Sequence, residues 1–401
     1  MHIAWVVPNA HPNHRGWIAG LAARGHRSSI ETVRIAGTKV SGWARSLDVA
    51  VHPINESRIS GFVRRRIPGL RDKGRRWFFP PVRDYLRSLD RLDAEVFIVR
   101  PQSVPLLAVV AFHCLRRRLP LLIYEQHDPR PLREWRESRL SRKGRAQAIY
   151  GSLRLRLLGR VFGDGIMSPV LHSDIDVARD RESFIPFPAT PLTEAGQGAG
   201  PALDEVWPLG SVLKVLVVAR FIPRKNHLLL IEAVEALRDE GSDVAVVIVG
   251  QAAGRREEDL LRAIRERADS SPHRRAIAVL ANLSTEGSLS RLYDEADVFV
   301  LPAEREPASV AIVEAIGHGL PVVVAASCGT AGYVAHERTG LHVEAGSRES
   351  LELALGRLAR DRYELSMMAS TTAARRDTTL STEIVARRLE SSLLSAIEHR
   401  R

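Results

Sequence analysis

Three short strings in the second half of the chain set charged side chains beside turn-forming residues in patterns that suit phosphate and hydroxyl recognition. In ARFIPRKN from Ala219, Arg220 and Lys225 lie five positions apart across a Pro-containing turn that follows an apolar run. A guanidinium grips phosphate through its planar fork and an ammonium acts as a point charge, so such a pair suits a diphosphate. Exposed basic residues at turns are common, and the pair decides nothing alone. In PAEREPASVAIVEAIGHGLPVV, Glu306 and Glu314 are separated by seven residues, the first in the loop after ADVFVLP and the second inside the following helix. That spacing turns a loop carboxylate and a helix carboxylate toward one crevice. Pro307, Ala308 and Ser309 open the helix, so the amides from Ala308 to Val310 and the positive end of the helix dipole favour a phosphate. A helix carboxylate also accepts both hydroxyls of a ribose. Glu314 stands among Val310, Ile312, Val313, Ala315 and Ile316, where an acidic side chain needs a partner or a ligand. The third string, SCGTAGYV after LPVVVAA, is a glycine-containing turn whose backbone can approach a ligand closely.

These strings need strands and helices to position them. In the first half, strand-length apolar runs alternate with helix-period stretches: HIAWVVP, WIAGLAARGH, AEVFIVR, PLLAVVAFHCLRRR and LPLLIYEQHD. The segment from Thr190, TPLTEAGQGAGPALDEVWPLG, is rich in Gly, Pro and Ala with weak periodicity and reads as a linker. A second series follows: LKVLVVAR, a helix from about Asn226, VAVVIVG, a helix from Glu257, AIAVL, ADVFVLP, a helix near Ser309, LPVVVAA, and a long helical tail from Arg348. Such alternation predicts βαβ units and an α/β fold of two Rossmann-like, doubly wound domains facing across a cleft. The expected boundaries are a first domain over 1–190, a linker over 191–210, a second domain over 211–375, and a C-terminal helix over 376–401 that packs back across the domains. Ligands of open parallel sheets lie at the carboxyl ends of strands, where all three strings fall.

The bulk properties narrow the class. At 401 residues the chain fits two domains. No run reaches the roughly 18 apolar residues of a membrane-spanning helix, and MHIAWVVPNA enters a strand with no leader-like pattern, so a cytoplasmic location is expected. Cys114 and Cys328 lack metal-ligand spacing and read as small core residues; no metal site is expected. The net charge of +11 is uneven: residues 1–200 carry 33 Lys/Arg against 18 Asp/Glu, and residues 201–401 carry 25 against 29. The basic excess concentrates from Arg64 to Arg76, at Arg116 to Arg118, and from Arg130 to Arg160, with Trp77, Phe78 and Trp135 interleaved. Such clusters suit an anionic membrane face or phosphorylated substrates, or are simply a solvated arginine-rich face. No nucleic-acid recognition motif accompanies them.

The second half resembles the retaining GT-B glycosyltransferases of glycosyltransferase family 4, the group 1 type. The strings that carry the resemblance are VARFIPRKNHLLLIEAV, VVIVG, LSRLYDEADVFVLPAEREPASVAIVEAIGHGLPVVVAASCG and RTGLHVEAGS, in order and at the expected spacings. The resemblance implies transfer of a sugar from a nucleotide-diphosphate sugar, a UDP- or GDP-sugar, to an acceptor hydroxyl with retention of anomeric configuration, and no bound cofactor. By it, Arg220 and Lys225 bind the diphosphate and stabilise its departure, Glu314 holds the ribose, and Glu306 contacts the donor sugar. Ala308, Ser309 and Val310 lie near sugar hydroxyls or phosphate. In the first half, His127 of EQHDP is expected to contact the donor sugar from the acceptor side, with Asp128 assisting or capping a turn. Gly16, placed by the resemblance near the donor phosphate, is all that NAHPNHRGW offers in place of the family's Gly-Gly turn, and SFIPFPAT from Ser183 replaces an Asn-Gly-Val-Asp type turn. His26, His113 and His318 read as structural. The expected partners are a nucleotide sugar, a saccharide or lipid-linked acceptor, and an anionic membrane surface, with a role in cell-surface polysaccharide or glycolipid synthesis. Two alternatives share the donor site: a nucleotide-sugar epimerase and a catalytically silent scaffold subunit of a membrane assembly.

Overall fold

The strand-length runs of the sequence assemble into two parallel six-stranded sheets. The computed structural model describes residues 1–10, 12–33, 42–58, 60–62, 78–100, 103–126, 163–171, 184–192, 206–207, 212–283, 286–304 and 306–400. The first sheet holds β1 (His2–Val7), β2 (Arg27–Val33), β3 (Ala50–Ile54), β4 (Val96–Val99), β5 (Leu121–Tyr124) and β6 (Gly165–Met167), in the order β3-β2-β1-β4-β5-β6. The helices described with it are α1 (Arg15–Ala23), α2 (Gly42–Ser46), α3 (Val82–Leu92) and α4 (Val104–Arg117). The second sheet holds β7 (Leu213–Val218), β8 (Val244–Gly250), β9 (Ile277–Ala281), β10 (Val298–Leu301), β11 (Val322–Ala325) and β12 (Gly340–Val343), in the order β12-β11-β10-β7-β8-β9. Its helices are α5 (His227–Asp239), α6 (Arg255–Asp269), α7 (Glu286–Glu295) and α8 (Val310–Gly317). This is the doubly wound α/β architecture expected from the alternation.

Central strands such as β1, β8, β10 and β11 are buried along their whole length, which is why they read as unbroken apolar runs. The edge strand β3 carries exposed His52 and Pro53, tolerable only where no neighbour needs the missing N–H. Each sheet has one place where the chain's connections diverge: between β1 and β4 in the first, and between β7 and β10 in the second. A crevice forms outside the carboxyl ends of the strands at such a point.

The tail read as one long helix is broken. Helix α9 (Arg348–Arg360) stops at Asp361, whose side chain caps α10 (Arg362–Arg375) by accepting from the Glu364 amide at 2.8 Å. A π-turn, Arg376–Leu380, then leads to α11 (Thr382–Arg400). Helix α11 lies on α1, where Gly20 leaves no room for a Cβ: one placed there would stand 2.7 Å from that of Ala386. Glu390 of α11 accepts from Arg24 Nη2 at 2.5 Å and from His26 Nε2 at 2.6 Å, and Arg400 Nε donates to Asp164 at 2.5 Å. His26 therefore has a structural task. His113 packs edge-on against Phe97, and His318 bonds Asp294 while accepting from the Leu192 amide. Both cysteines are buried thiols.

Tyr333 joins the two halves directly. Its hydroxyl donates to the Pro169 carbonyl at 2.7 Å and accepts from the Phe187 amide at 2.9 Å. Beside it, the Gly332 amide donates to Leu171 and the Leu171 amide donates to Gly329. No helix among the described residues is long and apolar enough to cross a membrane.

Candidate functional site

Three loops leave the second sheet at its divergence point, and the backbone ties them to one another. The loop after β7 runs from Ala219 to Asn226. Gly250 at the end of β8 lets it pass closely, since a Cβ there would lie 2.1 Å from the Ala219 carbonyl oxygen. Asn226 takes a left-handed conformation at φ 55° and its side-chain Nδ2 donates to the Pro302 carbonyl at 2.9 Å. The Glu304 amide donates to the Arg224 carbonyl, which joins the loops after β7 and β10. The turn after β11 closes on the second of these: the Gly329 amide donates to the Glu306 carbonyl at 2.7 Å. A Cβ on Gly329 would sit 1.7 Å from the Pro307 oxygen, so only glycine fits.

Within this frame Lys225 and Glu306 are both buried, and Lys225 Nζ donates to Glu306 Oε2 at 2.7 Å. Arg224 Nη1 donates to the same oxygen. Two cations thus share one carboxylate, and the cluster keeps an excess positive charge. The other carboxylate oxygen, Oε1, takes no hydrogen bond among the described residues and remains an acceptor for a ligand hydroxyl. Helix α8 starts alongside. Ser309 caps it, its Oγ accepting from the Ile312 amide, and the Ser309 amide donates to Thr330 Oγ1. Those bonds leave the amides of Val310 and Ala311 for an anion at the positive end of the helix. Thr330 Oγ1 also lies 3.3 Å from the Cys328 sulfur, whose thiol burial pushes up to about 11.

Glu314, one helical turn further, accepts from the buried Tyr293 hydroxyl at 3.0 Å. Burial, and then the neighbouring Glu314, raise the Tyr293 pKa well above the ordinary phenol value, so it stays a donor. Arg220 is turned outward and pairs with Glu257 of α6. Its carbonyl accepts from His227 Nε2, and burial lowers the His227 pKa to about 4, which keeps that ring neutral.

The structure therefore brings Lys225, Glu306, Ser309 and the adjoining Ala308 and Val310 into one neighbourhood, with Glu314 on the same helix. Gly16 lies in α1, where a Cβ would stand 2.9 Å from Pro188, so packing by itself accounts for a glycine there. His127 and Asp128 lie outside the described residues, as do Trp77, Trp135 and the basic runs at Arg64 to Arg66 and from Arg130 to Arg160. Of the basic clusters, Arg116 and Arg117 are described, and both are held by Asp90. The sequence reading passed over Arg224, Glu257 and Tyr293. Arg224 stands next to Lys225 in the same string, and Tyr293 falls in LSRLYDEADVFVLP, one helical residue pattern away from being a plain core aromatic.

Residues 208–376 match the family model described as glycosyl transferases group 1. That match covers most of the second half of the chain and none of the first. Among curated proteins, the amylovoran biosynthesis glycosyltransferase AmsK of Erwinia amylovora is 28% identical over 187 residues, 45% of this chain and 44% of that protein. The GDP-mannose-dependent α-(1-6)-phosphatidylinositol monomannoside mannosyltransferase of Mycobacterium tuberculosis is 27% identical over 190 residues, 46% of this chain and 45% of that protein. These matches span less than half of the length of either relative. Over the whole chain the fold is that of solved glycosyltransferases: a Rickettsia africae glycosyltransferase superposes with a TM-score of 0.69 at 13% identity, covering 99% of this chain and 98% of that one. Anabaena HepE, solved with UDP and glucose, superposes with a TM-score of 0.67 at 16% identity, covering 98% and 100%. The loops after β7, β10 and β11 described above all lie inside the matched stretch.

Proposed function

We propose that this chain is a glycosyltransferase that moves a sugar from a nucleotide-diphosphate sugar to an acceptor hydroxyl with retention of configuration. The observation that carries the reading is the buried Lys225–Glu306–Arg224 cluster beside the head of α8 at the divergence point of the second sheet. In this reading Lys225, Arg224 and the amides of Val310 and Ala311 hold the diphosphate, and Arg220 joins them by exchanging Glu257 for a phosphate oxygen. Fixed cations stabilise the charge that develops as the nucleotide departs, the demanding electrostatic step of such a transfer. The open Oε1 of Glu306 takes a hydroxyl of the donor sugar, and Glu314, oriented by Tyr293, takes the ribose.

The first half then presents the acceptor, with His127 contacting the donor sugar from the acceptor side and Gly16 near the donor phosphate, and the boundaries 1–190, 191–210, 211–375 and 376–401 divide the labour. Chemistry of this kind suits synthesis of a cell-surface polysaccharide or glycolipid on the cytoplasmic side of a membrane, a role in keeping with the amylovoran biosynthesis of AmsK and the phosphatidylinositol monomannoside mannosyltransferase of Mycobacterium tuberculosis.

Calorimetry with UDP, GDP, ADP and their sugar conjugates tests the donor site. Micromolar binding of one nucleotide that is lost in Lys225→Ala and Glu314→Ala is the expected result. Absence of binding to every nucleotide would favour a silent scaffold instead. With donor and acceptor in hand, NMR of the product anomer tests retention, and inversion would refute that part of the mechanism.

A further inference from the structure

Arg100 is the residue immediately after β4, and its amide donates to the Val6 carbonyl near the end of β1 at 3.0 Å. It therefore stands where β1 and β4 part, at the divergence point of the first sheet and on the carboxyl side of its strands. Its guanidinium is held by neutral groups. Nη2 donates to Gln126 Oε1 at 2.7 Å, and the head lies over the Tyr124 ring, 5.6 Å from its centre. Gln126 is fixed in turn, its side-chain amide donating to the Tyr124 hydroxyl at 3.2 Å. No carboxylate among the described residues pairs with Arg100. Arg24, Arg116, Arg117, Arg220, Arg224 and Arg267, by contrast, are each matched to an Asp or Glu.

A half-buried arginine oriented by an amide and an aromatic face, with most of its five N–H donors uncommitted, is built to receive planar or tetrahedral anionic oxygens. A second feature of the same crevice points to a ligand. Asn9, in the loop that leaves β1, has a buried side-chain oxygen with no hydrogen-bond partner. Buried polar atoms of this kind are rare, and one at a strand-end crevice is satisfied when a ligand supplies the donor.

We infer that Arg100 binds an anionic group, phosphoryl or carboxylate, on the acceptor, so that the enzyme selects an acidic or phosphorylated acceptor over a neutral sugar. This rests on the glycosyltransferase reading above, with the first half on the acceptor side. Arg100 is then a specificity-determining residue, carried by the first sheet while the cations of the donor site are carried by the second.

The test uses the full chain carrying Lys225→Ala, which weakens anion binding in the second half, with methyl phosphate, glucuronate and methyl glucoside as probes in calorimetry. Saturable binding of methyl phosphate or glucuronate, with none of methyl glucoside, is expected. Arg100→Gln should weaken it at least about tenfold, and Arg100→Lys, which keeps the charge without the fork, should fall between. Preference for methyl phosphate identifies a phosphorylated acceptor and preference for glucuronate an acidic sugar; either supports the inference. Equal affinity in Arg100→Gln and its parent, or no binding of either anion to the parent, overturns it. Nucleotide binding by Arg100→Gln with Lys225 intact is measured in parallel and reports folding and the donor site together. If nucleotide binds and the anions ignore Arg100, the acceptor inference fails while the donor reading stands. If the unaltered chain binds no nucleotide, the donor reading fails, whatever the anions do.

Discussion

Glu31 offers a sharp test of how the first half is built. It lies in β2, 1% exposed, on the face that Val33 shares with the core beneath α3 and α4. Its Oε1 has no hydrogen-bond partner, and burial pushes its pKa up from 4.5 to about 8. The folded chain therefore holds a proton that the unfolded chain releases between those two values. Stability is highest below pH 4.5 as far as this group is concerned, and falls as pH rises toward 8. Each pH unit inside the window costs about 1.4 kcal/mol, so the penalty grows by about 2.5 kcal/mol between pH 5 and pH 7. Glu31→Gln keeps the shape of the protonated acid and removes the titration. The variant should gain on the parent by that amount over the interval, a shift of roughly 1 M in the urea midpoint for a domain of this size. Five of the six tryptophans lie in the first 200 residues, so fluorescence follows the unfolding of the relevant half. A gap between variant and parent that stays constant from pH 5 to pH 8 would refute the assignment of a buried, protonated carboxyl.

The other expectations concern the second half and its junction. Lys225→Met should reduce nucleotide affinity by about tenfold or more and leave Glu306 held by Arg224 alone; unchanged affinity by calorimetry would remove Lys225 from the donor site. Tyr293→Phe deletes one neutral donor to Glu314 and should weaken nucleotide binding by about 1 kcal/mol without unfolding the domain, as circular dichroism can confirm. Gly329→Ala forces a methyl group against the Pro307 oxygen and should cost more than about 2 kcal/mol in thermal denaturation, with loss of nucleotide binding. Arg24 and His26 hold the Glu390 carboxyl below its ordinary pKa, so the stability they lend the α1–α11 contact is present at neutral pH and is lost as pH falls through that lowered value. Glu390→Gln should flatten this acid limb of the melting curve.

Much of this was legible in the amino-acid sequence because the physics is local. Strands buried on both faces must be apolar throughout, so LKVLVV, VAVVIVG and VFVL announce themselves, and with them the loops that follow. The placement of Ser309 at the head of a helix and of Arg220 and Lys225 after a strand follows from the same reading. Strand β2 escaped it because RSSIETV sets Ser28, Ser29, Glu31 and Thr32 inside the protein, where hydrogen bonds from His2, Trp5 and Thr32 satisfy part of what burial would otherwise penalise. The break at Asp361 was hidden by continuous helical composition on either side. Partnerships formed across long stretches of chain were beyond any periodicity: Tyr293 with Glu314, Arg224 with Glu306, and Arg100 with Gln126 depend on which strands lie side by side.

The tyrosine that bridges the halves bears on how such enzymes can be recombined. Tyr333 belongs by sequence to the donor half, yet both partners of its hydroxyl, the Pro169 carbonyl and the Phe187 amide, come from the other half. Gly329, whose amide holds the Glu306 loop, is also bonded through its carbonyl to Leu171. A seam between the halves thus runs along the turn after β11, beside the Glu306 loop. A chimera joined within 191–210 would pair one parent's turn with another parent's Pro169, Leu171 and Phe187. Exchange of the second half between relatives that keeps this turn intact therefore moves Pro169, Leu171 and Phe187 together with Gly329 to Tyr333, as a single inherited unit.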